Sequence, residues 1–267
     1  MRVFKPICVG FVFLMSFTFR NGVITEDCSI PNVAFVAGEK ISFTVYYNAA
    51  GVYINAGNAT FTNTLETLNE KPVYHIVGEG KTNSSYDIFY KVKDRYETYL
   101  DTSTLQPLKF IRNISEGGFK KYQHVTFNKT ANTAVSNDGV YNVPACVQDV
   151  VSSVFYARNI DFSKLNPEDK ITFDMFLDNE IFNMYIRYLG KETITTKFGK
   201  FRAIKFKPLL LKGTIFEGGE KMTVWVTDDA NHIPIRIESP IVVGKVKIDM
   251  MSYENICHPL TSLISRR

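Results

Sequence analysis

Phe182-Asn183-Met184-Tyr185-Ile186-Arg187-Tyr188 decides the fold class of this chain. Phe182, Met184, Ile186 and Tyr188 fall on alternate positions. A strand points successive side chains to opposite faces, so this spacing buries one face of a sheet. The same period of two runs outward in both directions. Ile41, Phe43, Val45 and Tyr47 alternate with Ser42, Thr44 and Tyr46. Ile88, Tyr90, Val92 and Tyr96 share a parity that breaks at Asp94. Leu108, Phe110 and Ile114 share one with Arg112 between them. Met222, Val224 and Val226 oppose Thr223, Trp225 and Thr227, and Val246, Ile248 and Met250 close the series. Turn-forming residues separate the runs: Asn48 to Gly51, Gly117-Gly118, Asp138-Gly139, Gly218-Gly219 and Asp228 to Asn231. The pattern predicts roughly a dozen or more half-buried antiparallel strands.

One segment breaks the period. Between Pro144 and Arg158, Val147, Val150, Val151, Val154 and Phe155 recur at three and four. That spacing predicts an amphipathic helix over about 144–158, with Pro144 near its first turn. The helix splits the strands into sets over 36–143 and 170–255, with no Ser/Gly-rich linker beside it. The expected fold is mainly β: a large, strongly curved or barrel-like antiparallel sheet with one main crossover helix. It forms a single domain over 36–255, followed by a tail over 256–267.

The two sets share a hairpin. Asp101 precedes Pro107 by six residues, and Asp228 precedes Pro234 by six. A turn Asp can accept backbone N–H groups two residues on, and Pro suits the first residue of a returning strand. Gly38-Glu39-Lys40 and Gly219-Glu220-Lys221 also open a strand in each half. Two unrelated hairpins and an ancestral duplication both account for this.

The composition is 45% hydrophobic and 22% charged, which excludes a disordered chain and a coiled coil. Met1 to Lys5 is basic and Ile7 to Phe19 is almost wholly apolar, the order of a secretory signal peptide. A helix of that length falls short of a ~30 Å hydrocarbon core. Residues 1–22 are therefore read as a removed leader, the mature chain as lacking a transmembrane anchor, and the protein as exported. Thr25, Glu26 and Asp27 disfavour lipid attachment at Cys28. Without Arg2, Lys5 and Arg20 the count of Lys and Arg is 28 against 27 acidic residues, so nucleic acid is not an expected partner.

Export permits disulfides. Removal of Cys8 leaves Cys28, Cys146 and Cys257. Cys28 lies before the first strand and Cys257 after the last, so a Cys28–Cys257 bridge with Cys146 reduced is expected. Three buried thiols are the competing reading.

Chemical motifs are sparse. His75, His124, His232 and His258 are never four apart, and Cys-x-x-Cys is absent, so no metal is expected. His232 beside Asp228 and Asp229 reads as a polar turn. Cys146 at a helix start could be an activated thiol, though a packed Cys is the commoner case. Asp174, Glu192, Glu217 and Glu220 flank strands, and nothing fixes a catalytic pair among them. Nucleophile-elbow and glycine-rich nucleotide motifs are absent, so the reading is non-catalytic and without cofactors. The sequons at Asn58, Asn83, Asn113 and Asn128 are not read as glycosylated.

Gly38-Glu39 before an aromatic-rich strand, the small-residue run Gly51 to Ala59, Asp149 to Arg158 with Phe155-Tyr156-Ala157-Arg158, and Trp225 to Pro234 followed by Gly244 resemble DUF3108. That is a family of uncharacterised bacterial exported proteins, and the resemblance spans about 36–250. It implies a periplasmic or extracellular location in a bacterium. The Asp-to-Pro hairpin is also similar to that of lipoprotein carriers of the LolA and LolB kind, which implies a curved sheet around an apolar cavity.

With 21 Phe and 14 Tyr, one helix facing many curved strands either fills the concavity or leaves an apolar pocket. The leading expectation is an exported protein binding an apolar or amphipathic ligand, or another envelope component, in the concave sheet. Tyr96, Phe110, Phe155 and Trp225 are placed toward it. A structural module of an envelope assembly without a pocket, and a hydrolase with a dispersed site, are the alternatives.

Overall fold

Two antiparallel meanders joined by one helix build the computed structural model, which describes residues 28–49, 51–86, 90–213, 218–241 and 244–267. The leader expected over residues 1–22 and its Cys8 lie outside the described residues. The first meander runs β1 (Lys40–Ala49), β2 (Val52–Leu68), β3 (Lys71–Thr82), β4 (Lys93–Asp101), β5 (Pro107–Glu116), β6 (Phe119–Asn128), β7 (Thr133–Ser136) and β8 (Gly139–Asn142). The helix α1 (Val150–Arg158) follows. The second meander runs β9 (Lys170–Leu177), β10 (Glu180–Thr195), β11 (Gly199–Pro208), β12 (Thr223–Thr227), β13 (Pro234–Pro240) and β14 (Lys245–Glu254).

Each strand pairs with its sequence neighbour, and β14 pairs with β1 with Val45 opposite Ile248, fusing the meanders into one sheet. A last strand, β15 (Leu263–Arg266), adds to β11 and brings the sheet to 15 strands. The expected tail thus contributes to the sheet.

The sheet is barrel-like without being closed. Its end strands β8 and β9 do not pair with each other. The seam is bridged by Gln148, whose N–H donates to Asp174 O at 2.8 Å and whose carbonyl accepts from Phe176 N at 2.9 Å. Tyr141 and Phe127 pack on Phe176 across it, at centroid distances of 5.7 and 6.2 Å. Bulges at Ser42/Phe43, Val45/Tyr46, Tyr99/Leu100, Tyr188/Gly190 and Trp225/Val226 add the bend that curls the strands. Gly78 lets the Phe61 ring lie flat on the sheet, since a Cβ there would sit 2.7 Å from that ring.

The helix fills one end of the concavity. Val147, Val151 and Phe155 pack with Phe35, Ile76, Leu100, Phe110 and Phe176. Farther along, Ala157, Ile160 and Phe162 pack with Ile186, Tyr188, Ile204, Phe206, Val224 and Val226. The helix is shorter than the expected 144–158, because Pro144 to Val147 forms a turn, with Val147 N donating to Pro144 O at 3.2 Å, and Gln148 bridges to Met175 of β9. Its cap is Asp149, whose carboxylate accepts from Val151 N and Ser152 N while Ser152 Oγ accepts from Asp149 N. This capping box marks the true start. Thr98 Oγ1 donates to the other Asp149 oxygen at 2.6 Å, tying the helix to β4, and burial pushes the carboxyl up to about 6.

The C-terminal end of the helix is anchored by an internal ion pair. Arg158 and Glu39 are each 3% exposed, and the guanidinium grips both carboxylate oxygens, at 2.5 and 2.8 Å. Arg158 also donates to Ala34 O and Asn231 O, and its own carbonyl is bonded by His232 Nδ1 at 2.6 Å. One side chain thereby ties the N-terminal segment, β1, α1 and the β12–β13 turn.

The paired hairpins are similar but not identical. Leu105 and His232, each two residues before the Pro, adopt left-handed φ of 55° and 43°. In the first turn Asp101 Oδ1 accepts from Ser103 N and Thr104 N. In the second, Asp229 takes that role and accepts from Asn231 N, while Asp228 forms an ion pair with Lys191 at 2.8 Å. The expectation for Asp228 is corrected accordingly: Val226 pairs with Pro234 where Leu100 pairs with Pro107, so the second loop is one residue longer.

The expected Cys28–Cys257 bridge is also corrected. Cys28 is joined to Cys146, with Cα atoms 5.1 Å apart, and Cys257 is free. The segment before β1 crosses the end of the sheet that the helix fills, so Cys28 starts beside the helix entry. The chain after β14 turns instead to Asn231 and β11. Tying residues 118 apart restricts the unfolded chain, so Cys28→Ser/Cys146→Ser should cost about 2–4 kcal/mol in urea unfolding. A loss below ~0.5 kcal/mol, or a peptide map linking Cys257, would contradict this assignment.

Candidate ligand-binding site

The helix, the segment before β1 and the C-terminal residues cover one end of the curled sheet. At the other end the inner face stays open. Cross-strand register sets Phe61, Gly78, Tyr96, Arg112 and Gln123 in one row across β2–β6. The next row outward holds Ala59, Gly80 and Asp94, then Ile114 and Lys121. Small residues at Ala59, Gly78 and Gly80 keep this floor low. A Cβ on Gly80 would meet nothing within 4 Å. A cleft of about 890 Å³ lies on the opposite, outer face of β2–β6, walled by side chains that include Glu79, Lys81, Lys93, Arg95, Lys120 and Tyr122.

Charged side chains stand at inward positions here. Arg112, 6% exposed, donates to Gln123 Oε1 at 3.3 Å and forms an ion pair with Asp178. Lys121 meets the same Asp178 oxygen. Asp178 and Asn179 form the β9–β10 turn, with φ of 53° and 67°, the left-handed pair that a two-residue hairpin requires. Burial works to raise the Asp178 carboxyl, but Lys121 and Arg112 outweigh it and hold the group below the ordinary carboxylate range. Among the described residues Arg112 Nε has no hydrogen-bond partner.

Beside this pair, Glu116 and Asp94 are coupled. Glu116 is 8% exposed, and burial, the Asp94 charge and their mutual hydrogen bond push it up to about 7. Asp94 is raised as well, chiefly by burial, against the Ser115 N–H that it accepts at 3.0 Å. Two carboxyls in contact cannot both ionise cheaply, so they share a proton. Burial first, then Asp94, pushes the Tyr96 hydroxyl up to about 12. The inner face here thus carries an N–H donor on Arg112 and a carboxyl pair that shares a proton, beside partly buried aromatic surface.

Glu116 makes stability depend on pH. Its folded value, about 7, lies above the ordinary 4.5, so the folded state holds this proton more tightly than the unfolded chain. Its contribution is complete below pH 4.5 and is lost as pH rises to about 7. Glu116→Gln is neutral at every pH. The melting temperature of the wild type relative to E116Q should therefore fall between pH 4.5 and 8. Parallel profiles would show that the carboxyl is not perturbed.

A family model described as "Protein of unknown function (DUF3108)" matches residues 42–251. This chain belongs to the DUF3108 family. No curated protein matches it by sequence. Among solved structures it is similar to a β-barrel-like protein of domain of unknown function DUF1849 from Brucella abortus. The TM-score is 0.55 at 7% identity, over 85% of this chain and all (100%) of the other. It also matches a presumed exported protein with a YmcC-like fold from Bacteroides fragilis, at 14% identity and TM-score 0.33, covering 84% and 99% of the two chains. A presumed lipoprotein from Parabacteroides distasonis matches at 14% identity and TM-score 0.36, covering 85% and 99%. The first of these supports the barrel-like fold.

Three of the stretches that mark DUF3108 meet in space. Gly38-Glu39, the helix end at Arg158 and the hairpin turn at Asn231 and His232 converge on the Glu39–Arg158 pair. The resemblance therefore tracks an anchor at the covered end, away from the open end. The residues placed toward the concavity are divided. Phe110 and Phe155 are core residues of one cluster with Tyr96 packed against it. Trp225 lies in another cluster with Phe201, Ala203 and Ile235, and its Nε1 donates to Glu192 at 2.6 Å. Of these residues, Tyr96 borders the open end. The flanking carboxylates do not converge: Glu192 joins Trp225, Glu220 joins Arg187 and Tyr185, Asp174 joins Asn183, and Glu217 lies outside the described residues.

Arg112, Asp94, Glu116, Lys121 and Asp178 were not legible as a site from spacing alone. Yet Asp94 and Arg112 are the residues that interrupt the apolar parity of their strands. A charge on the buried parity of a strand is a local conflict, and such conflicts collect at functional or strained positions.

Proposed function

We propose that this DUF3108 protein is an exported, non-catalytic binding protein that holds an amphipathic ligand at the open end of its curled sheet. The observation that carries this reading is the inward polar cluster at that end, where buried Arg112 keeps an Nε without a hydrogen-bond partner among the described residues and the space above Gly80 is open. Ligand sites combine apolar walls with a few convergent polar groups. Covering ~200 Å² of apolar surface would contribute roughly 5 kcal/mol without any ion. The Cys28–Cys146 bridge supports an oxidising compartment, periplasmic or extracellular. No helix among the described residues is long and apolar enough to cross a membrane.

Native mass spectrometry of protein purified from its own compartment, with organic extraction, tests this. A stoichiometric amphiphile is expected. Empty protein that also fails to bind the neutral probe N-phenyl-1-naphthylamine would overturn the reading and favour a structural module. The proton-sharing Asp94–Glu116 pair supports a second reading, a hydrolase in which the dyad activates water. Turnover abolished by both Asp94→Asn and Glu116→Gln would establish it.

A further inference from the structure

The cleft on the outer face of β2–β6 takes no part in the inward cluster, and its walls are the side chains of the opposite parity. Thr60, Glu79, Arg95, Asn113 and Tyr122 stand opposite one another in one row across the five strands. The next row places Asn58, Lys81 and Lys93 on β2–β4, and Ser115 and Lys120 on β5–β6. Each strand thus gives two polar side chains, two residues apart, to one hollow of about 890 Å³. A curled, twisted sheet is saddle-shaped, so its outer face is hollow along the strands although it is convex across them.

The hollow is cationic. Arg95 is held by Glu79 and Glu97, at 2.7 Å each. Lys81, Lys93 and Lys120 are exposed and enter no ion pair among the described residues. Asp94 borders the cleft from the inward parity, and its carboxyl is engaged with Glu116 and the Ser115 N–H. Neighbouring strands lie about 4.8 Å apart, so Lys81 and Lys93 start roughly 5 Å from each other and Lys120 roughly 10 Å farther on. Amide and hydroxyl side chains fill the intervals, and Tyr122, 58% exposed, stands at one end.

We infer that this outer cleft binds a stretch of acidic polysaccharide, a sugar chain bearing carboxylates. Lys81, Lys93 and Lys120 meet its carboxylates, the amides and hydroxyls between them meet its hydroxyl groups, and Tyr122 stacks on a sugar ring. The walls select this occupant. Cations repeated from strand to strand suit a chain with repeating anions better than one small anion. β2, β3, β4 and β5 each pair on both sides, so the floor offers no strand edge to a peptide backbone. Protein partners are gripped by buried apolar anchors, and single-stranded nucleic acid by several stacking aromatics, whereas the exposed aromatic here is Tyr122. A sugar chain presents donors and acceptors at each step, which Asn, Thr and Ser side chains match. The site is separate from the inward amphiphile site proposed above.

The test is calorimetric titration of the full mature chain with tetragalacturonate, neutral maltotetraose, hexaglutamate and oligothymidylate. Wild type should bind tetragalacturonate about 10-fold more tightly than maltotetraose, the sum of modest exposed contacts from the three lysines. Added salt should erode that preference. The variant Lys81→Gln/Lys93→Gln/Lys120→Gln changes exposed side chains only and should abolish it, with binding of N-phenyl-1-naphthylamine unchanged, so that the outer and inward sites are read separately. Tyr122→Ala should weaken both sugars by about 5-fold through lost stacking. Equal affinity for the two sugars, or a preference that survives the triple variant, would overturn the proposal. Hexaglutamate or oligothymidylate bound as tightly as tetragalacturonate would overturn the sugar and assign the cleft to an acidic peptide or to nucleic acid. Binding of none of the four would overturn the site itself.

Discussion

Replacing Arg158 by Met should lower the unfolding free energy by about 3–5 kcal/mol, a large share of a typical domain's stability. The physical reason is what stays behind. Glu39 is 3% exposed and holds both guanidinium bonds, so without Arg158 its charge is buried unpaired. Ala34 O and Asn231 O lose their donor in the same step. The guanidinium also lies over the Phe35 and Phe155 rings, at 5.5 and 5.2 Å from their centroids, so apolar packing is lost with the charge. Met restores part of that packing and none of the polar bonds. The double variant Glu39→Leu/Arg158→Met removes both charges and should recover a substantial part of the loss, since a buried ion pair gains little over apolar residues of its own volume. Urea unfolding of the two single variants and the double variant measures the coupling. A loss under ~1 kcal/mol for R158M, or strict additivity in the double variant, would mean that the pair is not the anchor of the covered end.

Phe155→Ala should cost about 3–5 kcal/mol as well, through a cavity instead of a charge. Phe155 is 2% exposed on the buried face of α1. Its ring meets Phe35 edge-on at 4.9 Å and 84°, and Phe61 at 6.1 Å and 74°. These partners come from the segment before β1 and from β2, so the truncation loosens contacts between distant parts of the chain. The site is a filled core and not the wall of an opening, so the surroundings cannot collapse without moving the helix against the sheet. Phe155→Met keeps most of the volume and should cost less. Because the ring lies at the covered end, amphiphile affinity per folded molecule should stay unchanged in F155A. A shift below ~1 kcal/mol, or loss of ligand binding without loss of stability, would relocate the site to the helix face.

The sheet was written locally. Alternation over Phe182–Tyr188 and its counterparts fixes which side chains share a face, because the strand period of two depends on nothing beyond neighbouring residues. The turn pairs Asp101–Pro107 and Asp178-Asn179 act within a few residues, and so does the three-and-four spacing that separates α1 from the strands. The helix start shows where local reading stops. Pro144 suits a first turn by its own φ, but Gln148 is claimed by β9, so the helix begins after Asp149. The Asp228 turn shows the same limit on a smaller scale, since a loop one residue longer than that of the first hairpin leaves Asp229 as the accepting carboxylate.

The sequence by itself determined a β-rich, curved architecture with one helix, its strand parities, and the odd charges Asp94 and Arg112 on buried parity. Only the tertiary structure decided which partner each special residue meets. Cys28 takes Cys146 and not Cys257, Glu39 takes Arg158, and Arg112 takes Asp178. These pairs are 118, 119 and 66 residues apart. Period-two parity says that a residue faces inward, but it carries no information on how far the sheet curls or which strand lies opposite. That depends on the bulges, on the seam at Gln148 and on the helix filling one end while leaving the other open. Those are sums of many weak packing terms over the whole chain, and no short stretch of sequence contains them.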